Sequence, residues 1–104
     1  MKELTPQQLD QALEDEDLHF QYLYTPMCGT CQLAKRMLTI VEEAIPSLEV
    51  ARTDLNYIPH YAKSWGIESV PCLIVFRNGE MKEKIYAFQS VDYLFRFFKE
   101  YLEN

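Results

Sequence analysis

The longest apolar run in the chain is Val70-Pro71-Cys72-Leu73-Ile74-Val75-Phe76, seven residues with neither a charge nor a polar alternation. A bilayer-spanning helix needs about 20 such residues, so the run reads as a strand. Because apolar side chains follow one another on both sides of the pleat, both faces of that strand must be covered. Pro71 lacks an N–H and is tolerated only where such a strand begins. A centrally buried strand of this kind calls for a sheet with helices on each face, an α/β architecture.

The remaining segments supply those layers. Thr5 followed by Pro6 is an N-cap with proline at the first helical position, and Leu9, Ala12 and Leu13 recur at helical spacing, which predicts a helix over 6–15. Leu18, Phe20, Tyr22 and Tyr24 alternate as in a strand that Thr25-Pro26-Met27 ends. From Cys31 the residues Leu33, Ala34, Met37, Leu38, Val41 and Ala44 form a helical stripe up to Pro46. Leu48–Thr53 reads as a strand and Ile58–Trp65 as a short helix, begun near Asn56 and Pro59 and closed by Gly66. Asn78-Gly79 is a strong hairpin signal joining the strand at 72–76 to one at about 80–86. A last helix from Ser90 to Leu102 is expected to bury Val91, Leu94, Phe95, Phe98 and Leu102, with Tyr93, Phe97 and Tyr101 as a second aromatic stripe, a candidate homodimer or partner patch. The predicted order is α β α β α β β α, as one domain over 1–104, with no linker or repeat.

Ten Lys+Arg against sixteen Asp+Glu give a net charge of −6, and the basic residues form no run. Binding to nucleic acid or to anionic lipid is not expected, because both draw on clustered cations. No basic start leads into an apolar segment near Met1, so a cytoplasmic location is expected. Three cysteines are too few for a disulfide-dense secreted scaffold, and two of them form Cys28-Gly29-Thr30-Cys31.

That pair lies where a strand hands over to a helix. Two cysteines three apart there share one face about one turn apart, close enough to bridge reversibly. Cys28, at the helix N-terminus, meets unpaired N–H groups and the positive end of the dipole, which lower a thiol pKa from about 8.5 toward about 3.5–7.5. Cys31 sits one turn further in and suits attack on a mixed disulfide; Cys28 is therefore the expected nucleophile and Cys31 the resolving thiol. Half a zinc site has the same spacing, but only Cys72, His19 and His60 remain as further ligands and they are scattered, so no metal is expected. Cys72 reads as a small buried hydrophobe. Both histidines read as solvent-facing or satisfied polar groups. Tyr22 reads as core packing.

With Val70-Pro71 some forty residues after Cys28-Gly29-Thr30-Cys31, and Asn78-Gly79 beyond it, the chain resembles the thioredoxin family over nearly its whole length. Trp65-Gly66-Ile67-Glu68-Ser69-Val70-Pro71 is similar to that family's approach to its cis-proline loop, and Phe76-Arg77-Asn78-Gly79 to the hairpin that follows. The resemblance implies a thioredoxin fold, a mixed four- to five-stranded sheet flanked by helices, with Pro71 cis. It also implies substrate binding against Met27, Gly29, Thr30, Val70 and Pro71. Met27 replaces the usual Trp, Thr30 the usual Pro, Tyr22 a commonly buried Asp, Arg52 its Lys partner and Ala87 a groove Gly. The family's first strand is limited here to Lys2–Leu4, at most a trimmed edge.

The function expected is thiol-disulfide oxidoreduction of protein or small-molecule disulfides, with an external reductase or small thiol to reset the pair. Glycine occurs only at 29, 66 and 79, so no dinucleotide fingerprint exists and no bound cofactor is expected. A monomer or weak homodimer is expected. The alternatives are a thioredoxin-like binding or adaptor module with vestigial redox chemistry, and an oxidant or isomerase, which a reducing compartment would oppose.

Overall fold

The computed structural model describes residues 1–103. Its core is a five-stranded sheet of β1 (Lys2–Glu3), β2 (Leu18–Tyr24), β3 (Val50–Asp54), β4 (Cys72–Arg77) and β5 (Glu80–Ile85), ordered β1-β3-β2-β4-β5. β1 and β2 run parallel to β3, while β4 is antiparallel to both β2 and β5. The helices are α1 (Pro6–Asp15), α2 (Gly29–Ala44), α3 (Pro59–Ser64) and α4 (Val91–Leu102). The expected domain range extends to Asn104, which lies outside the described residues.

Two apolar layers sandwich the sheet. On one face Phe20, Tyr22, Leu73 and Val75 meet Leu38 and Val41 of α2 and Leu94 and Phe98 of α4. On the other, Leu23, Ala51, Cys72, Ile74 and Phe76 meet Leu9 and Ala12 of α1, with Tyr61 and Trp65 at the border. β4 is buried from Cys72 to Phe76, as its unbroken apolar run requires.

Local signals account for the element ends. Thr5 and Gln8 form a reciprocal capping box at α1, with Pro6 at the first helical position. Asn78 and Gly79 both have positive φ, 54° and 78°, the requirement of a two-residue turn whose twist matches the flanking strands. A Cβ at Gly79 would lie 2.8 Å from the Leu13 carbonyl oxygen, and Asn78 N–H donates to Asp17 at 2.7 Å, so this turn is docked on the end of α1. Gly79→Ala is expected to cost about 1–3 kcal/mol from backbone strain and the displaced carbonyl, lowering Tm by about 4–8 °C per kcal/mol. A thermal melt checks this, and an unchanged Tm would show that the turn is not held against α1.

Several expectations need correction. β1 was absent from the order read from periodicity, since it is only two residues long and exposed, but it lies within the Lys2–Leu4 edge that the family resemblance allowed. The strand predicted from Leu48 begins at Val50, because Leu48 N–H is taken by Ile45 in the preceding turn. The short helix predicted at 58–65 is α3, Pro59–Ser64, and it is preceded by an unpredicted 3-10 turn, Leu55–Tyr57, capped by Asp54. In α2, Leu33 and Ala44 face solvent rather than the core. In α4 only Leu94 and Phe98 are fully buried, whereas Val91, Phe95 and Leu102 are half-buried.

Tyr93, Phe97 and Tyr101 form no exposed patch. They are half-buried against the core, with Tyr101 edge-on to Phe20 and its hydroxyl donating to Glu83 of β5. His19 is buried and satisfied: its ring nitrogens pair with Glu16 and Gln21, and Gln21 continues through Thr53 to the Leu4 carbonyl. That buried polar line fastens the chain just after β1 to the sheet, and every group in it has a partner.

Candidate active site

β2 ends at Tyr24, and Thr25-Pro26-Met27 turns the chain so that Cys28 becomes the N-cap of α2. Cys28 N–H donates to the Thr25 carbonyl at 3.2 Å, closing the turn. As N-cap, Cys28 presents Sγ to the free N–H groups of the first helical turn, and Cys31 N–H lies 3.1 Å from it. The same donor favours a thiolate on Cys28 once the pair is reduced. Cys28 and Cys31 are joined as a disulfide with Cα atoms 5.2 Å apart. Cys28 is half-buried and Cys31 is only 3% exposed, so an incoming group meets Cys28 first.

The loop before β4 reaches the same spot. The Val70–Pro71 peptide is cis, and the Val70 carbonyl oxygen lies 3.9 Å from Cys28 Sγ. Thr30 Oγ1 is 3.4 Å from the same sulfur. Thus Cys28, Thr30, Cys31, Val70 and Pro71 converge. Met27 is 96% exposed and Gly29 has nothing within 4 Å of the place a Cβ would take, so both stand clear on the solvent side.

Two features could not be located from sequence. A shallow groove of about 330 Å³ runs from Thr30 and Pro71 past Leu33 and Met37 to Tyr86 and Phe88, with the outward-facing Leu33 in its wall. The second is behind Cys31: the buried Tyr22 hydroxyl donates to the Cys31 carbonyl at 2.5 Å. Alternation marked Tyr22 as interior, but nothing local indicates what a phenol at the far side of a strand will reach. Arg52 faces Tyr22 in the β2–β3 register, packs over the Tyr24 ring and pairs with Glu3 at 2.9 Å. Ala87 is exposed beside the groove.

Cys72 follows Pro71 but points into the opposite layer, fully buried, and burial pushes its thiol up to about 12. At neutral pH it is almost wholly protonated and shielded. In reduced native protein, brief alkylation should therefore label Cys28 and leave Cys72 untouched until denaturant is added; peptide mass analysis reads this directly, and rapid native labelling of Cys72 would contradict the placement. No cluster of three or more His, Cys, Asp or Glu able to hold a metal occurs among the described residues. No helix among them is long and apolar enough to cross a membrane.

Comparison with known proteins gives a consistent picture. The family model described as Thioredoxin matches residues 1–100. The chain is 48% identical over 100 residues to thioredoxin-like protein YusE of Bacillus subtilis, covering 96% of this chain and 92% of that protein. It is 26% identical over 103 residues to a thioredoxin of Listeria monocytogenes, covering 98% and 99% of the two chains. Among solved structures, the N21Q mutant thioredoxin of Halobacterium salinarum superposes with a TM-score of 0.80 at 25% identity, over 96% of this chain and 88% of that one. An oxidised thioredoxin of Plasmodium falciparum shares the fold at a TM-score of 0.81 and 15% identity, over 97% of each chain.

Proposed function

The chain belongs to the thioredoxin family and is a thiol-disulfide oxidoreductase, and from that premise we propose how it divides the work: Cys28 attacks, Cys31 resolves, and the net direction is reduction of protein disulfides. The observation that supports this division is the unequal burial of two linked cysteines, Cys28 half-buried at the N-cap and Cys31 almost wholly enclosed.

In the proposed cycle the Cys28 thiolate attacks one sulfur of a substrate disulfide, and the other substrate sulfur leaves with the electron pair and takes a proton. Cys31 then loses its proton and attacks Cys28 Sγ. The Cys28–Cys31 bond forms, and the second substrate sulfur leaves as a thiolate. Two electrons have passed from the dithiol to the substrate. Met27, Gly29, Thr30, Val70 and Pro71 form the docking rim, with Val70 offering its backbone to an extended segment. An external reductase or a small thiol returns the pair to the dithiol. We place the protein in the cytoplasm, as one domain over 1–104, acting as a monomer or weak homodimer, with no bound cofactor.

Trapping tests the assignment. Cys31→Ser expressed in the native host, followed by acid quenching and non-reducing separation, should accumulate mixed disulfides between Cys28 and cytoplasmic proteins. If instead partners bind equally to a chain lacking both cysteines, the domain is an adaptor and the assignment fails.

A further inference from the structure

We propose that Tyr22 is a positioning residue for Cys31: its hydroxyl, donating to the Cys31 carbonyl, holds the first turn of α2 in place while the Cys28–Cys31 bond is open. The proposal rests on the roles given above to the two cysteines. The peptide groups on both sides of Cys31 are tied, its N–H to Cys28 Sγ at 3.1 Å and its carbonyl to Tyr22 at 2.5 Å. The first tie runs to the partner sulfur. The second runs to the sheet.

Tyr22 is a firm anchor. It is 1% exposed in β2, flanked in register by Arg52 of β3 on one side and Leu73 of β4 on the other. Its ring stacks on Tyr24 at 5.9 Å and meets Phe88 edge-on at 6.0 Å, so the hydroxyl has little freedom to turn away. Burial raises the Tyr22 phenol well above its ordinary range, with the Arg52 charge only partly opposing this. The hydroxyl therefore keeps its proton where thiols exchange, and acts as a donor to the carbonyl rather than as a base for the Cys31 thiol.

A helix end frays more readily than its middle, because its first N–H groups lack internal partners. In the oxidised protein the disulfide holds the turn. In the mixed disulfide that link is broken, and Cys31 must stay aimed at Cys28 for the ring to close. A small cavity of about 160 Å³ lined by Tyr22, Tyr24, Cys31, Lys35 and Arg52 lies beside that turn. Holding two reacting groups together raises their effective concentration, and the tie to the sheet contributes to that. A single neutral hydrogen bond, worth about 0.5–1.5 kcal/mol net, sets the scale at about three- to tenfold.

The test uses the full chain carrying Tyr22→Phe, with Val41→Ala as a comparison that destabilises α2 away from the site. Single-turnover reaction with an aryl disulfide reads two steps, Cys28 attack and release from the mixed disulfide. Equilibration in dithiol buffers reads ring closure. Tyr22→Phe should leave the first step within about twofold, slow release about three- to tenfold and weaken ring closure by the same factor, about 30 mV per tenfold toward less negative potential. Val41→Ala should lower Tm without changing either release or ring closure. Wild-type release and potential in Tyr22→Phe, or an equal change in Val41→Ala, would overturn the proposal. A wild-type mixed disulfide found on Cys31 would instead overturn the roles of the two cysteines, and this proposal with them.

Discussion

Cys28→Ser is expected to reduce turnover of a protein disulfide such as insulin by on the order of 10³-fold or more, down to the background set by the reductant. A serine hydroxyl is not ionised near neutral pH and cannot enter a mixed disulfide, so no later step can begin. Cys31→Ser is expected to behave differently. Its first attack survives, and the protein then stalls as a mixed disulfide on Cys28 that only added reductant releases. The two variants thus share a low turnover but differ in the species that accumulates. Dithiothreitol-coupled turbidity gives the rate, and mass analysis after acid quenching gives the species. Retention of more than about a tenth of wild-type turnover in Cys28→Ser would place the nucleophile elsewhere.

The largest stability effect is expected at Phe98. It is fully buried on α4, edge-on to Phe20 of β2 at 4.8 Å and to Phe97 at 5.5 Å. Its ring holds α4 against the face of the sheet that also carries α2. Phe98→Ala removes this packing and leaves a cavity, at a cost of about 3–5 kcal/mol, and Tm should fall by about 12–40 °C. Since a domain of this size is stable by only about 5–15 kcal/mol, the variant should be close to unfolding at 37 °C. Tyr57, 69% exposed, provides the comparison: Tyr57→Ala should change stability by less than about 0.5 kcal/mol. Urea unfolding of both variants checks the pair, and a loss under about 1 kcal/mol at Phe98 would contradict the packing described.

What the sequence revealed depended on how local the deciding interaction is. The run at 72–76 announced a doubly covered strand because strand burial is written residue by residue, and Asn78-Gly79 announced the hairpin because positive φ has few residue solutions. Cys28-Gly29-Thr30-Cys31 was legible for the same reason: its geometry follows from one turn of helix. β1 was legible only through the family resemblance, since a two-residue edge strand is defined by its pairing with Ala51 and Arg52, far along the chain. Tyr93, Phe97 and Tyr101 looked like an exposed stripe because helical spacing reports which residues share a face, not what covers that face; here the core and Glu83 of β5 do. Tyr22 could be assigned to the interior by alternation, yet its hydroxyl's acceptor is set by how α2 packs on β2. In each case the missed part is a tertiary contact between segments that sequence periodicity treats separately.

That the chain works as a dithiol-disulfide exchanger is tested most directly by the reduction potential of the Cys28/Cys31 pair. Protein carrying Cys72→Ala would be equilibrated with defined dithiol buffers, quenched with acid, alkylated and its free thiols counted. The proposed reductase predicts one reversible two-electron couple below about −220 mV, toward the thioredoxin value of about −270 mV. A couple at about −180 to −120 mV would make the protein an isomerase or oxidant, and the absence of any reversible couple would contradict the exchange cycle altogether.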